Sequence, residues 1–139
     1  MPNKNQLTGM RGVYLVAAEL SKHRFIASPT SRSARGADIL ATDTACRRAF
    51  SIQVKANAVT FTYWLLNENA KEMVSDTHIY VFVNMKEGTP PEFYVVPSAI
   101  VAEKMCFEKR TNSTFYWFTR DDARPFQDKW DILGEDEPA

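Results

Sequence analysis

Asp38, Gln53 and Lys55 are the residues whose types and spacing can do chemistry. Asp38 falls in an otherwise apolar stretch, Ala37-Asp38-Ile39-Leu40. An acid inside a strand is costly to bury and is depleted there, so it asks for a reason. Gln53 and Lys55 are two apart in a segment that alternates with period two, and so share one face of a strand. The separation 53 − 38 = 15 residues suits a hairpin. Paired strands would let a carboxylate, an amide oxygen and an ammonium converge. Hard oxygen donors of this kind suit Mg²⁺ or Mn²⁺, with the Val54 backbone carbonyl completing the inner shell. A cation held there lowers the pKa of its water, and Lys55 would orient that water or stabilise developing charge. That is the chemistry of phosphodiester hydrolysis. The competing reading is that Asp38 caps or closes a turn and that Lys55 pairs with it as a structural ion pair.

The elements that must position these groups are legible in outline. Residues 1–9 read as a loose, polar N-terminus, and residues 10–133 as one domain. A helix from Met10 to His23 places Val13, Val16, Ala17 and Leu20 on one face and Glu19, Lys22 and His23 on the other. Phe25–Ser28 is a short strand stopped by Pro29. Thr30 to Arg35 is a basic loop, and Gly36–Thr42 a strand containing Asp38. Its hairpin partner, Ala49–Lys55, turns Phe50, Ile52 and Val54 one way and Ser51, Gln53 and Lys55 the other. A short strand near 60–65 and a helix over 67–75 follow. His78–Val83 reads as a central strand buried on both faces. A strand at Phe93–Val96, a helix opened by Pro97, a strand at Phe115–Phe118 and a short helix near 125–133 complete the order. Residues 134–139 form an acidic tail. The expected architecture is a mixed α/β (α+β) sheet flanked by helices, ordered α-β-β-β-α-β with C-terminal β-α additions.

Gly36-Ala-Asp38, a hairpin, and then Gln53-Val-Lys55 resemble the active-site signature of the restriction-endonuclease-like PD-(D/E)XK nuclease superfamily. Its pattern is an Asp on the second core strand and (Glu/Gln/Asp)-x-Lys on the third. The leading helix, ending Ala-Ala-Glu-Leu-Ser-Lys-His-Arg-Phe-Ile-Ala, is similar to the first helix of Holliday junction resolvases and small bacterial and phage relatives. The resemblance covers roughly residues 10–100. It implies a Mg²⁺- or Mn²⁺-dependent endonuclease acting on nucleic acid, DNA above RNA, with Asp38, Gln53 and Lys55 at the site. Many members carry a Glu on the first helix; its place falls near Gly12, where this chain has Val13. Glu19, the only acid on the helix, lies off the face carrying Val16 and Leu20, and is weighed as a metal ligand against pairing with Lys22 or His23. With Gln53 in place of an acid, Asp38 is the single anion. The alternative is a degraded relative that binds nucleic acid or a protein partner without cutting.

Composition bounds these readings. The chain has 139 residues, 45% of them hydrophobic, enough for a packed core. Lys+Arg and Asp+Glu are 17 each, so no global positive field drives the chain onto nucleic acid. Contact must come from a local patch, and Arg32 and Arg35, just before Asp38, are the candidates to hold a phosphate backbone. Cys46 and Cys106 stand 60 positions apart without a second Cys or His at ligand spacing. A zinc site and a disulfide framework are therefore unexpected, and the chain reads as cytoplasmic, without a spanning segment or a secretory signal. His23 and His78 lack partners at triad spacing, and Ser28, Ser31 and Ser33 lack a nucleophile-elbow context. The aromatic runs Tyr63-Trp64 and Phe115-Tyr-Trp-Phe suit packing better than base stacking. Trp117 and Trp130 lie outside the family core, which makes a homodimer an expectation.

Overall fold

A computed structural model describes residues 3–31 and 36–134. A five-stranded mixed sheet runs in the order β1-β2-β3-β5-β6, and a three-stranded sheet in the order β4-β8-β7. The large sheet consists of β1 (Phe25–Pro29), β2 (Ile39–Asp43), β3 (Ala49–Asn57), β5 (His78–Asn84) and β6 (Glu92–Pro97). The small one consists of β4 (Tyr63–Leu66), β7 (Cys106–Lys109) and β8 (Thr114–Thr119). The first three strands form an antiparallel meander, β3 and β5 are parallel, and β6 returns antiparallel.

Helix α1 (Lys4–Lys22) covers one face of the large sheet through Val13, Val16 and Leu20. They pack with Phe50, Ile52 and Val54 of β3 and with Ile79, Val81 and Val83 of β5. Tyr80 and Phe82 of β5 point the other way, into a second core shared with Trp64, Tyr94 and Phe118. Every residue of β5 is buried, which is why it reads as a continuous apolar run. The short α2 (Ser98–Lys104) and the small sheet close that second core.

Four elements differ from the sequence expectation. The helix expected from Met10 begins at Lys4. Asn3 accepts the Gln6 N–H at 2.9 Å while the Gln6 side chain accepts the Asn3 N–H at 3.0 Å, a capping box that orders the first turn. The helix expected over 67–75 is one 3₁₀ turn, Glu68–Lys71. Two Asn within three residues favour turns over helix there. Strand β7 was not expected. The terminal helix near 125–133 is instead α3 (Arg120–Ala123) and two 3₁₀ turns. Trp130, expected to be available to a partner chain, is buried, stacked 5.3 Å from His23 and tilted 5.8 Å from Phe93.

Candidate active site

Asp38 lies one residue ahead of β2, in a bend, and not within the strand as its apolar neighbours suggested. Its main chain still pairs: its N–H donates to the Ile52 carbonyl at 2.9 Å, and its carbonyl accepts the Thr30 N–H at 2.9 Å. Its carboxylate oxygen Oδ2 accepts the backbone N–H of Val54 at 2.8 Å. The side chain thus takes the N–H that the next ladder rung would have used, which ends β2 here. Extending the register Ile39↔Ile52 by one rung sets Asp38 opposite Gln53.

Strand β3 aims the other groups. Phe50, Ile52 and Val54 are buried, whereas Ser51, Gln53 and Lys55 are half-buried on the opposite face. The Ser51 N–H donates toward β5, to Thr77, so by alternation the Ile52 and Val54 main chains face β2. The Val54 carbonyl therefore points to the same edge as the Asp38 carboxylate, beyond the start of β2. Asp38 and the Val54 main chain thus meet at one edge of β3, with Gln53 the neighbouring residue of the strand.

Lys55 lines a cleft of about 670 Å³ at the carboxyl end of β3. Lys4 and Thr8 of α1, Asn57 and Thr60 beyond β3, and Trp64 and Leu65 of β4 line it with Lys55. Asp38 and Gln53 do not line this cleft; they lie at its Lys55 end, one and two residues back along the strand edge. Its walls are tied by two asparagines in register at the ends of β3 and β5. Asn57 donates to the Tyr63 carbonyl, and the buried Asn84 donates to the Phe61 carbonyl at 3.1 Å. Gly12 lets α1 lie this close. A Cβ there would stand 2.6 Å from that of Ala56, so only Gly fits.

Among the described residues no three His, Cys, Asp or Glu side chains gather so as to hold a metal. Mg²⁺, however, keeps several waters and binds through one or two carboxylates plus substrate phosphates. One carboxylate, one amide oxygen and one main-chain carbonyl at a strand edge beside a cleft fit an ion of that kind. They do not fit zinc, which wants a closed N/S set. Val13, where the resemblance expected a helix acid, is 2% exposed in the main core and supplies no side-chain oxygen. Glu19 stands two turns further along α1, its carboxylate 3.8 Å from the His23 ring at helical i,i+4 spacing, as the wet-face reading expected. Arg32 and Arg35 lie outside the described residues.

In the sequence, His78 reads as a surface or satisfied core histidine without partners at triad spacing. It is buried beside Ser51, with Nδ1 2.7 Å from the Ser51 hydroxyl and no hydrogen-bond partner at Nε2 among the described residues. Burial outweighs the hydrogen bonding with Ser51 and pushes its pKa below the ordinary 6.5. The unfolded chain therefore binds a proton more readily than the folded one. Stability is complete above 6.5 and falls as pH drops below it. The melting temperature is expected to decline on acidification from neutrality, and His78→Gln is expected to flatten that decline. An equal slope in wild type and variant would contradict this role for His78.

A mixed sheet with the meander β1-β2-β3, a parallel β5 and a helix laid across it is the restriction-endonuclease-like fold. The chain is similar to the Holliday junction resolvase Hjc of Archaeoglobus fulgidus, an archaeal hyperthermophile, with a TM-score of 0.56 and 17% identity. The match covers 91% of this chain and 96% of that one. No protein-family model matches the sequence, and neither does any curated protein. The likeness is one of fold, and what happens at the strand edge must be argued from the residues.

Proposed function

We propose that the chain hydrolyses phosphodiester bonds of nucleic acid, DNA in preference, at the Asp38–Gln53–Lys55 edge, in the manner of a resolvase-like endonuclease. The observation that carries this reading is the Asp38 carboxylate clasped to the Val54 N–H, which locks the acid onto the Gln-x-Lys strand. Asp38, Gln53 and the Val54 carbonyl would hold Mg²⁺ or Mn²⁺. When bound, such an ion polarises the phosphate and makes its water a nucleophile near neutral pH. Asp38 supplies the single negative charge that draws the cation in. Gln53 adds an oxygen without charge, which keeps affinity low until a phosphate contributes its own. Lys55, at the end of the cleft, stabilises the charge that grows on the phosphate as the water oxygen bonds to phosphorus and the bridging oxygen leaves. Lys4 opposite, with Arg32 and Arg35, holds flanking phosphates.

Labelled branched, single-stranded and double-stranded DNA incubated with the chain are expected to be cut in Mg²⁺ or Mn²⁺ and spared in EDTA. Cutting that survives EDTA, or is absent on all three substrates, would overturn the proposal. A second reading has its own observation: Val13 is buried, Gln53 is uncharged, and among the described residues no three His, Cys, Asp or Glu side chains gather here. On that reading the chain binds nucleic acid without cutting, and the same incubation separates the two.

A further inference from the structure

We infer that the outward face of the β4–β8–β7 sheet is a stacking platform for unpaired nucleotides, continuous with the Lys55 cleft. The inference rests on the reading that this cleft takes a phosphodiester backbone. Alternation divides the aromatic runs between two surfaces. Trp64, Leu66 and Phe118 turn inward and are buried. Tyr63, Leu65, Phe115 and Trp117 turn outward: Leu65 faces Trp117 across the ladder, and Tyr63 and Phe115 occupy the same side. Leu65 is 57% exposed, Tyr63 40% and Phe115 37%, and Trp117 is half-buried. The solvated face of an antiparallel sheet ordinarily alternates to polar residues; this one presents three rings and a leucine, flanked by Thr119, Cys106 and Glu108.

The charges around the patch decide its occupant. Leu65 belongs both to this face and to the cleft, where Lys4 and Lys55 stand. At the far end the Arg110 guanidinium lies 4.2 Å over the Phe115 ring, held by Glu108 at 3.4 Å. Apolar rings running from two lysines at the cleft to an Arg110–Glu108 pair at the far end match a strand whose bases stack on the rings while its phosphates are neutralised at the cleft. A duplex keeps its base faces covered and cannot use the rings. The platform therefore selects single strands, flaps and junction arms with unpaired bases, and feeds the backbone toward Lys55.

The test is a fluorescence titration of the full chain with an oligothymidylate and with a duplex of equal length, in EDTA so that nothing is cut. The single strand is expected to bind at least tenfold more tightly and to quench tryptophan emission. Trp64 and Trp130 are buried, so the quench reports Trp117. Trp117→Phe is expected to abolish the quench and keep the binding. Leu65→Glu, a substitution at an exposed site, is expected to weaken single-strand binding at least tenfold. Equal affinity for strand and duplex would overturn the inference, as would binding unchanged by Leu65→Glu. A dimer in sedimentation that Leu65→Glu dissolves would also overturn it, by giving the face to a second copy. A chain that binds strands here and never cuts would refute the hydrolytic proposal alone. A chain that cuts without strand preference would refute the platform alone.

Discussion

Replacing Asp38 by Asn, or Lys55 by Ala, is expected to slow strand cleavage by a factor of about 10²–10⁴, with the fold preserved. Asn keeps a carbonyl oxygen where Oδ2 accepts the Val54 N–H, so the bend ahead of β2 survives. What it removes is the negative charge on which cation capture depends. Lys55→Ala removes the ammonium at the end of the cleft and leaves the β3 main chain untouched. Each variant is compared with wild type for single-turnover cleavage and for melting temperature. The account expects the rates to collapse and the melting temperatures to stay within a few degrees. If Asp38 and Lys55 were only a structural ion pair, the melting temperatures would fall with each substitution and no metal-dependent rate would be lost.

Trp64→Ala is expected to cost about 3–5 kcal/mol of stability, the largest loss of any single substitution in the small sheet. The indole joins the two sheets. It packs 4.9 Å from Phe82 and 5.5 Å from Tyr94, and its Nε1–H donates to the Val83 carbonyl at 3.0 Å. Truncation opens a cavity in the second core and removes the indole's hydrogen bond to the Val83 carbonyl, two losses that add. Trp64→Phe refills most of the space and loses only the hydrogen bond, so its cost is expected near 1–3 kcal/mol. Urea unfolding of the three proteins measures both. A loss below about 1 kcal/mol for Trp64→Ala would mean that the small sheet is not anchored through this ring.

Much of this was legible because strands betray themselves by period. The alternation of Ala49–Lys55 separates Phe50, Ile52 and Val54 from Gln53 and Lys55, and the structure keeps that division. The unbroken apolar run of β5 announced burial on both faces. What escaped depends on contacts between distant segments or on turns. That Asp38 would grip the Val54 N–H, and end β2 by doing so, requires the hairpin register that only the folded chain fixes. The cleft escaped because one wall comes from Lys4 and Thr8, in a segment read as loose. The capping pair Asn3 and Gln6 was the signal that could have placed them on a helix. Strand β7 escaped because Cys106-Phe-Glu-Lys109 has no clear alternation, and only pairing with β8 extends it. The inward half of the aromatic runs packs as expected, while the outward half does not.

Addition of Mn²⁺ to the isotope-labelled chain, with wild type and Asp38→Asn side by side, tests the central claim most directly. The paramagnetic ion broadens the NMR signals of whatever lies next to it. The account predicts that the Val54 backbone amide and the Gln53 side-chain amide of the wild type broaden first, and that neither does so in Asp38→Asn. Broadening that begins elsewhere, such as at Asp121 and Asp122 of α3, with Val54 and Gln53 untouched at millimolar Mn²⁺, would contradict it.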